Sequence, residues 1–188
     1  MSKIAWIDTE TTGLNPKTNA LIQLSGLIEV DGSVKESFDF FLRPWNGAVV
    51  EPEALAVNGR SIDEISNFQD HILVIHQFRT LLSKYANKYD KDDKFVFAGY
   101  NPNFDIGFLR ETFLKAGDNY YGSWFFNCPL DVATIVAEKV VSGLRLPNYK
   151  LVTVCEHYSI GLEDAHSSDN DIRATRELYY TLKGNGDA

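Results

Sequence analysis

The chain has little sulfur, few basic residues and no long apolar run. Its 188 residues include two cysteines and one methionine. Cys128 and Cys155 lack the spacing of a metal site, and both read as buried free thiols of a reducing compartment. No stretch approaches the roughly 18 consecutive apolar residues that a membrane span takes. Met1-Ser2-Lys3 leads directly into a strand-like run, so no secretory signal is expected and the cytoplasm is the expected location. Lysine and arginine total 18 against 26 aspartates and glutamates, a formal charge of −8. That balance argues against a broad basic surface of the kind that grips duplex DNA over many phosphates. It leaves nucleic acid open as a ligand, because bound cations can invert the local field where a phosphate approaches. Internal repeats, low-complexity linkers and signs of a second domain are also missing.

What is present is globular in kind. The hydrophobic fraction is 44% and the aromatic fraction 13%, enough to exclude disorder and to bury a sizeable core. Residues 1–183 are expected to form one domain, with 184–188 as a short tail. An apolar run from Ile4 reads as the first strand, and Leu21 to Val30 as a second that ends in the hairpin signal Asp31-Gly32. A third runs from about Ser37 to Arg43. Pro44 to Asn67 reads as irregular, apart from a short helix capped by Ser61 with Glu64 three residues on. Phe68, Ile72, Ile75, Leu82 and Tyr85 then fall on one face of a long amphipathic helix. A strand over Phe95 to Ala98 is followed by a helix through Asp105, Phe108, Leu109, Thr112 and Phe113, stopped at Gly117. Further helices are expected over Leu130–Val141, Leu151–Tyr158 and Ser168–Lys183. Strands first, then strands alternating with helices, imply a mixed α/β sheet flanked by helices.

Chemistry concentrates at three places. In Ile4-Ala5-Trp6-Ile7-Asp8-Thr9-Glu10, a strand delivers two carboxylates two residues apart, hence on one face. Like charges so close are unfavourable unless a cation lies between them, and hard divalent ions take such oxygen ligands. As a bland alternative, both residues end an edge strand, with Thr11-Thr12-Gly13 as an ordinary turn. Asp105 lies where a strand hands over to a helix, in Gly99-Tyr100-Asn101-Pro102-Asn103-Phe104-Asp105. Asp171 shares a helical stripe with Thr175, Leu178 and Leu182, and an aspartate on such a stripe is costly to bury alone. His166, just before that helix, has the ordinary pKa of a general base, while His71, His76 and His157 read as structural. Asp131, Glu163, Asp164 and Asp169 could reach a metal, but capping or solvation explains them equally well.

The segments D-T-E-T-T-G from Asp8 to Gly13, Y-N-P-N-F-D from Tyr100 to Asp105, and H-x4-D from His166 to Asp171 resemble the motifs of the DnaQ-like 3′–5′ exonucleases. The histidine before the last aspartate marks the DEDDh branch. Phe104-Asp105-Ile106-Gly107-Phe108 is similar to the proofreading subunits of bacterial replicative polymerases, and Pro52-Glu53-Ala54 with Val57-Asn58-Gly59 resembles the segment after the family's third strand. The resemblance covers about Ile4 to Leu182. It implies a ribonuclease H-like fold, a mixed five-stranded sheet with antiparallel first hairpins. It also implies two Mg²⁺ or Mn²⁺ ions held by Asp8, Glu10, Asp105 and Asp171, with His166 as general base. By the same similarity Thr11, Thr12, Gly13 and Leu14 hold a terminal nucleotide, Leu14 against its base, with Asn101 and Phe104 beside that pocket. The implied substrate is single-stranded DNA or a frayed end. An RNA 3′-exonuclease and an inactive nucleic-acid-binding relative are the alternatives. A DNA polymerase or another replication or repair protein is the candidate partner. Two features depart from the proofreading pattern. Tyr100 stands where many such relatives have histidine, and the chain ends soon after its last helix, which favours a free-standing nuclease.

Overall fold

The computed structural model describes residues 1–162 and 168–184. Three strands open the chain: β1 (Lys3–Thr11), β2 (Leu21–Val30) and β3 (Ser33–Arg43), paired as an antiparallel meander. The β2–β3 turn pairs Val30 with Ser33 across Asp31 and Gly32, whose φ angles of 49° and 78° are both positive. This is the primed turn that an Asp-Gly pair selects, and the tight turn extends β3 four residues upstream of its expected start. Two short helices follow, α1 (Pro52–Asn58) and α2 (Ile62–Ser66). Ser61 caps α2 by accepting from the Glu64 amide at 3.2 Å, as its spacing predicts. The segment expected to be irregular therefore also holds α1, which starts at a proline and stops at Gly59 in the left-handed region.

A two-residue strand, β4 (Gln69–Asp70), precedes α3 (His71–Ser83). Asp70 caps α3 by accepting from the Ile72 amide at 2.9 Å. That cap places Phe68 outside the helix, packed near Ile22, Leu55 and Ile65, and leaves Ile72 54% exposed. The expected long helix is thus shorter at its start, and it is Val74, Ile75, Phe78, Leu81 and Leu82 that are buried. Next come β5 (Val96–Gly99), α4 (Asn103–Lys115), a 3₁₀ turn at Tyr121–Ser123 and β6 (Leu130–Asp131). The helices α5 (Val132–Val141), α6 (Leu151–His157) and α7 (Ser168–Gly184) complete the described chain. The sheet order is β4-β3-β2-β1-β5-β6, with β5 parallel to β1 and β6 parallel to β5. Six strands stand where five were expected, because β4 and β6 are two-residue edges too short to show a period of two. Cys155 is buried as expected, but Cys128 is exposed in the loop before β6. Among the described residues no helix is long and apolar enough to cross a membrane.

The strand carrying the acidic pair lies inside the sheet, between β2 and β5. Its alternation divides the core. Ala5 and Ile7 join the cluster under α3 and α4, which contains Phe78, Phe97, Phe108 and Phe113. Trp6 faces the other way, among Leu27, Val132, Val154, Ile172, Leu178 and Leu182. One strand is therefore gripped on both faces, and its last residues project from a rigid base.

Gly26 lies opposite Ile7 in the β1–β2 ladder. A Cβ there would meet the Trp6 carbonyl oxygen at 2.1 Å and the Phe38 ring at 2.6 Å. Gly26→Ala forces backbone apart, and overpacking of this kind costs about 1–3 kcal/mol. We expect a melting temperature lower by several degrees, measured by thermal denaturation. Gly122→Ala, where a Cβ would meet open space, should be nearly silent.

Candidate active site

Asp8 and Glu10 leave β1 on the face of Trp6, toward α7. The β1–β2 register shifts between Glu10 and Thr11, where Glu10 pairs with Gln23 but Thr11 with Leu21. A bulge of this kind bends the strand and re-aims the side chains beside it. Thr9, on the other face, donates its hydroxyl to Asp105 Oδ1 at 2.7 Å and so ties the first turn of α4 to β1. Asp105 is 5% exposed. Asp171 sits near the start of α7, a turn before buried Thr175. The strand and two helices bring four carboxylates within electrostatic reach at the end of β1.

Electrostatics reports how close they are. Burial raises the Asp8 carboxyl well above the ordinary range, and the charges of Asp105, Glu10 and Asp171 add to the rise. Burial, then Asp171 and Asp105, pushes Glu10 up to about 7, and the Arg60 guanidinium offsets part of that. Asp105 is pushed to about 7 by burial, opposed by the Thr9 hydrogen bond. Among the described residues no group of three or more His, Cys, Asp and Glu side chains closes around one point as a ready metal cage. Asp105, Glu10 and Asp171 nevertheless all lie within the field of Asp8. Their donor set, carboxylate oxygen throughout, suits a hard divalent ion such as Mg²⁺ or Mn²⁺.

Thr11, Thr12 and Gly13 form a buried wall beside these carboxylates. The Thr12 amide donates to the Ala20 carbonyl at 2.8 Å and the Glu51 amide to the Thr12 carbonyl at 2.9 Å. Asn19 Nδ2 donates to Thr12 O, Val49 O and Glu51 Oε1 within 3.1–3.3 Å. Asn58 Nδ2 reaches Thr11 O at 2.9 Å. A Cβ on Gly13 would lie 2.3 Å from Asn19 Nδ2 and 2.5 Å from Glu51 Oε1, so only glycine fits this close approach. Leu14, next along, is 80% exposed. At the second motif, Asn101 holds a left-handed φ of 61° and is exposed. Its amide donates to Asp131 Oδ1 at 3.0 Å. Phe104 is half-buried against Phe108, ring centroids 4.9 Å apart. Tyr100 donates its hydroxyl to the Tyr149 carbonyl at 2.5 Å.

The structure thus brings Asp8, Glu10, Asp105 and Asp171 together and puts Thr11 to Leu14 at their side. His166, Glu163 and Asp164 lie outside the described residues. Asp131 accepts from the Asn101 and Ala133 amides and from Thr134 Oγ1, which accounts for it as a cap. Sequence reasoning missed Thr9, Arg60, Asn19 and Asn58. Arg60 donates to Glu64 and Gln23 and lies over the Phe41 and Phe68 rings at 5.1 and 5.8 Å. Thr9 carried a signal, since its place between the two acids in a strand sends it to the opposite face. Asn19 and Asn58 act through partners 7 to 47 positions away, and Arg60 through Glu64, four residues on, and Gln23, 37 positions back.

A family model described as Exonuclease (RNase_T) matches residues 5–179. Ribonuclease T of Shewanella baltica is 28% identical over 182 residues, covering 92% of this chain and 78% of that protein. Ribonuclease T of Shewanella denitrificans is 26% identical over 186 residues, covering 92% and 76%. Among solved structures, E. coli exonuclease I in complex with a dT13 oligonucleotide superposes with a TM-score of 0.79 at 18% identity. Its zinc-bound form with single-stranded DNA gives 0.83 at 18% identity. Each covers 99% of this chain, which spans only 41% of the exonuclease I chain. At that identity the likeness shows the fold, a ribonuclease H-like sheet flanked by helices.

Raised carboxyl pKa values carry a sign for stability. Groups at about 7 in the folded state and near 4 when unfolded leave the folded protein holding more protons between those values. Stability is fully present below about pH 4 and is lost as pH rises toward and through about 7. Metal-free protein should therefore melt lower at pH 8 than at pH 5 in a matched EDTA series. Asp8→Asn, which removes one charge at nearly constant shape, should raise the melting temperature at pH 7 in EDTA and reduce the gain from Mn²⁺. A variant melting below wild type in EDTA, with the same gain from Mn²⁺, would mean that Asp8 is a turn residue.

Proposed function

Because this chain belongs to the exonuclease family, we propose that residues 1–183 form one metal-dependent 3′–5′ exonuclease domain that shortens single-stranded DNA, or frayed DNA ends, from the 3′ terminus. The observation that carries this reading is the set of four carboxylates, from one strand and two helices, that meet at the end of β1, where Asp105, Glu10 and Asp171 all act on Asp8, and Asp171 and Asp105 on Glu10. A packing or turn role for Asp8 and Glu10 leaves that convergence without a cause. The fold likeness to exonuclease I with bound oligonucleotide, and the relatives named Ribonuclease T, support single-stranded nucleic acid as the ligand class. An inactive relative would have no need of so costly a cluster.

Asp8, Glu10, Asp105 and Asp171 would hold two Mg²⁺ or Mn²⁺ ions. Such a pair, when bound, acidifies water and stabilises the attacking and leaving oxygens of an in-line displacement at phosphorus. The protein's own residues do the rest. Exposed Leu14 lies against the terminal base, and the rigid Thr11–Gly13 wall fixes the last nucleotide. Asn101 and Phe104 lie beside that pocket. Thr9 holds Asp105 in one rotamer by its 2.7 Å hydrogen bond. His166 accepts the proton of the attacking water. The water oxygen bonds to phosphorus, the bond to the 3′ oxygen of the preceding nucleotide breaks, and a nucleoside 5′-monophosphate leaves.

Matched 3′-labelled DNA and RNA oligonucleotides, with and without EDTA, test the reading. Mononucleotides should accumulate from DNA and stop with EDTA. Faster release from RNA would instead favour the RNA alternative, and no release from either would end the proposal. Asp171→Ala should remove activity from a folded protein, and Asp169→Ala should be much milder. His166→Ala should lose about 10²–10⁴-fold in turnover, the usual worth of a positioned base, with calorimetric Mn²⁺ affinity nearly unchanged. Equal losses of rate and affinity would make His166 a ligand or a structural residue.

A further inference from the structure

Glu29 on β2 is the most thoroughly buried carboxylate outside the candidate active site, at 1% exposure. It is also fully engaged. Its Oε2 accepts from Trp6 Nε1 at 3.1 Å and from Arg176 Nε at 2.6 Å. Its Oε1 accepts from the Tyr180 hydroxyl. Arg176 also donates to the Gly32 carbonyl at 3.3 Å, and its guanidinium lies 4.9 Å from the Tyr180 ring centre. One carboxylate oxygen is thus shared by a side chain of β1 and a side chain of α7.

These partners are placed close to the acidic residues. Trp6 precedes Asp8 by two residues on the same face of β1, about 6.6 Å along a strand. Arg176 follows Asp171 by five residues, about 7.5 Å along a helix. β1 supplies Asp8 and Glu10, and α7 supplies Asp171. An apolar cluster also joins the sheet to α7, with Trp6 of β1 and Leu27 of β2 among Ile172, Leu178 and Leu182, and Trp6 and Tyr179 ring centroids 5.5 Å apart. Apolar contact holds two elements together but tolerates a shift along the helix axis. The directional bonds of Glu29 do not.

Stability alone gives no reason for the arrangement. Replacing a buried ion pair with apolar residues of similar volume is often neutral or stabilising. What such a pair supplies is one fixed register. We propose that Glu29 is a positioning residue: through Trp6 and Arg176 it fixes α7 on β1 so that Asp171 stands at the right height against Asp8 and Glu10. It acts through the side chains bonded to it, Trp6 of β1 and Arg176 and Tyr180 of α7. The inference rests on the exonuclease reading above.

The test compares the parent protein with the double variant Glu29→Leu/Arg176→Met, and with Glu29→Gln and Arg176→Lys. The readouts are thermal melts, calorimetric Mn²⁺ affinity, and kcat and KM on a single-stranded oligonucleotide. The double variant leaves no charge unpaired, so it should stay folded. We expect its Mn²⁺ affinity to fall about 10-fold and kcat roughly 10²-fold with KM little changed, the scale of a misplaced ligand. Glu29→Gln keeps one carbonyl oxygen, which can accept from both Trp6 and Arg176 as Oε2 does, and should show much smaller losses than the double variant. A folded double variant with parental Mn²⁺ affinity and kcat overturns the proposal. If the double variant does not fold, Arg176→Lys decides. It keeps the charge but loses the guanidinium's directional Nε bond, so reduced kcat in a folded protein is expected, and parental values overturn the proposal. A parent that neither binds Mn²⁺ nor releases mononucleotides would remove the exonuclease reading itself, and the parent arm alone distinguishes that failure.

Discussion

Two carboxylates at the end of a central strand, facing a third and a fourth from separate helices, repel one another in a cleft that keeps them from water. This repulsion is the constraint on which the arrangement of the site depends. Left to relax, the four groups would splay or take up protons; burial first and then neighbouring carboxylates raise Asp8 and Glu10, and burial raises Asp105. What keeps them near is the hydrophobic packing on either side of β1. Phenylalanine-rich contacts press α3 and α4 onto one face and Trp6 anchors the other. The core therefore holds the carboxylates at an electrostatic cost that the surface of the protein would not impose.

The wall beside the cleft is solved differently. Thr11 ends β1, and Thr12 and Gly13 continue as an irregular stretch with no ladder to satisfy their backbone groups. Asn19, Asn58 and the Val49–Glu51 strand-like segment supply partners from 7 to 47 positions away. Buried backbone groups paired in this way leave the loop little freedom. A rigid wall next to repelling charges is what a site needs if it is to accept a cation without collapsing around it.

The sequence made the strand order of the meander, the Asp-Gly turn, the Ser61 cap and the stripe on α7 legible, because each follows from local periodicity or turn chemistry. The acidic residues were legible for a related reason, since a carboxylate on an apolar stripe or at a strand end stands out against its neighbours. Strands β4 and β6 were not, since two residues show no period. The start of α3 was misplaced because Asp70 caps the helix after Phe68, and the apolar spacing cannot register a cap. Cys128 was misread as buried because its flanking Phe126 and Pro129 look like core, yet they lie on the sheet's β6 edge. Glu29 gave no hint at all. On its strand it reads as an ordinary polar residue, and only the 147 positions separating it from Arg176, closed by the fold, reveal its pairing.

The charge of the whole molecule bears on how such a site would be used. Arg60 is the cation that lowers the Glu10 pKa, and it is already committed to Glu64, Gln23 and two aromatic rings. It tempers the cleft without neutralising it, and a net charge of −8 surrounds it. A polyanionic strand approaching that field meets repulsion until cations occupy the carboxylates, after which the local sign reverses. On the proposed reading, divalent ions therefore precede the nucleic acid, and the acidic surface that argues against duplex binding also discourages idle association with backbone phosphates. Affinity then resides in the terminal nucleotide and the ions that meet it, as suits an enzyme that recognises an end.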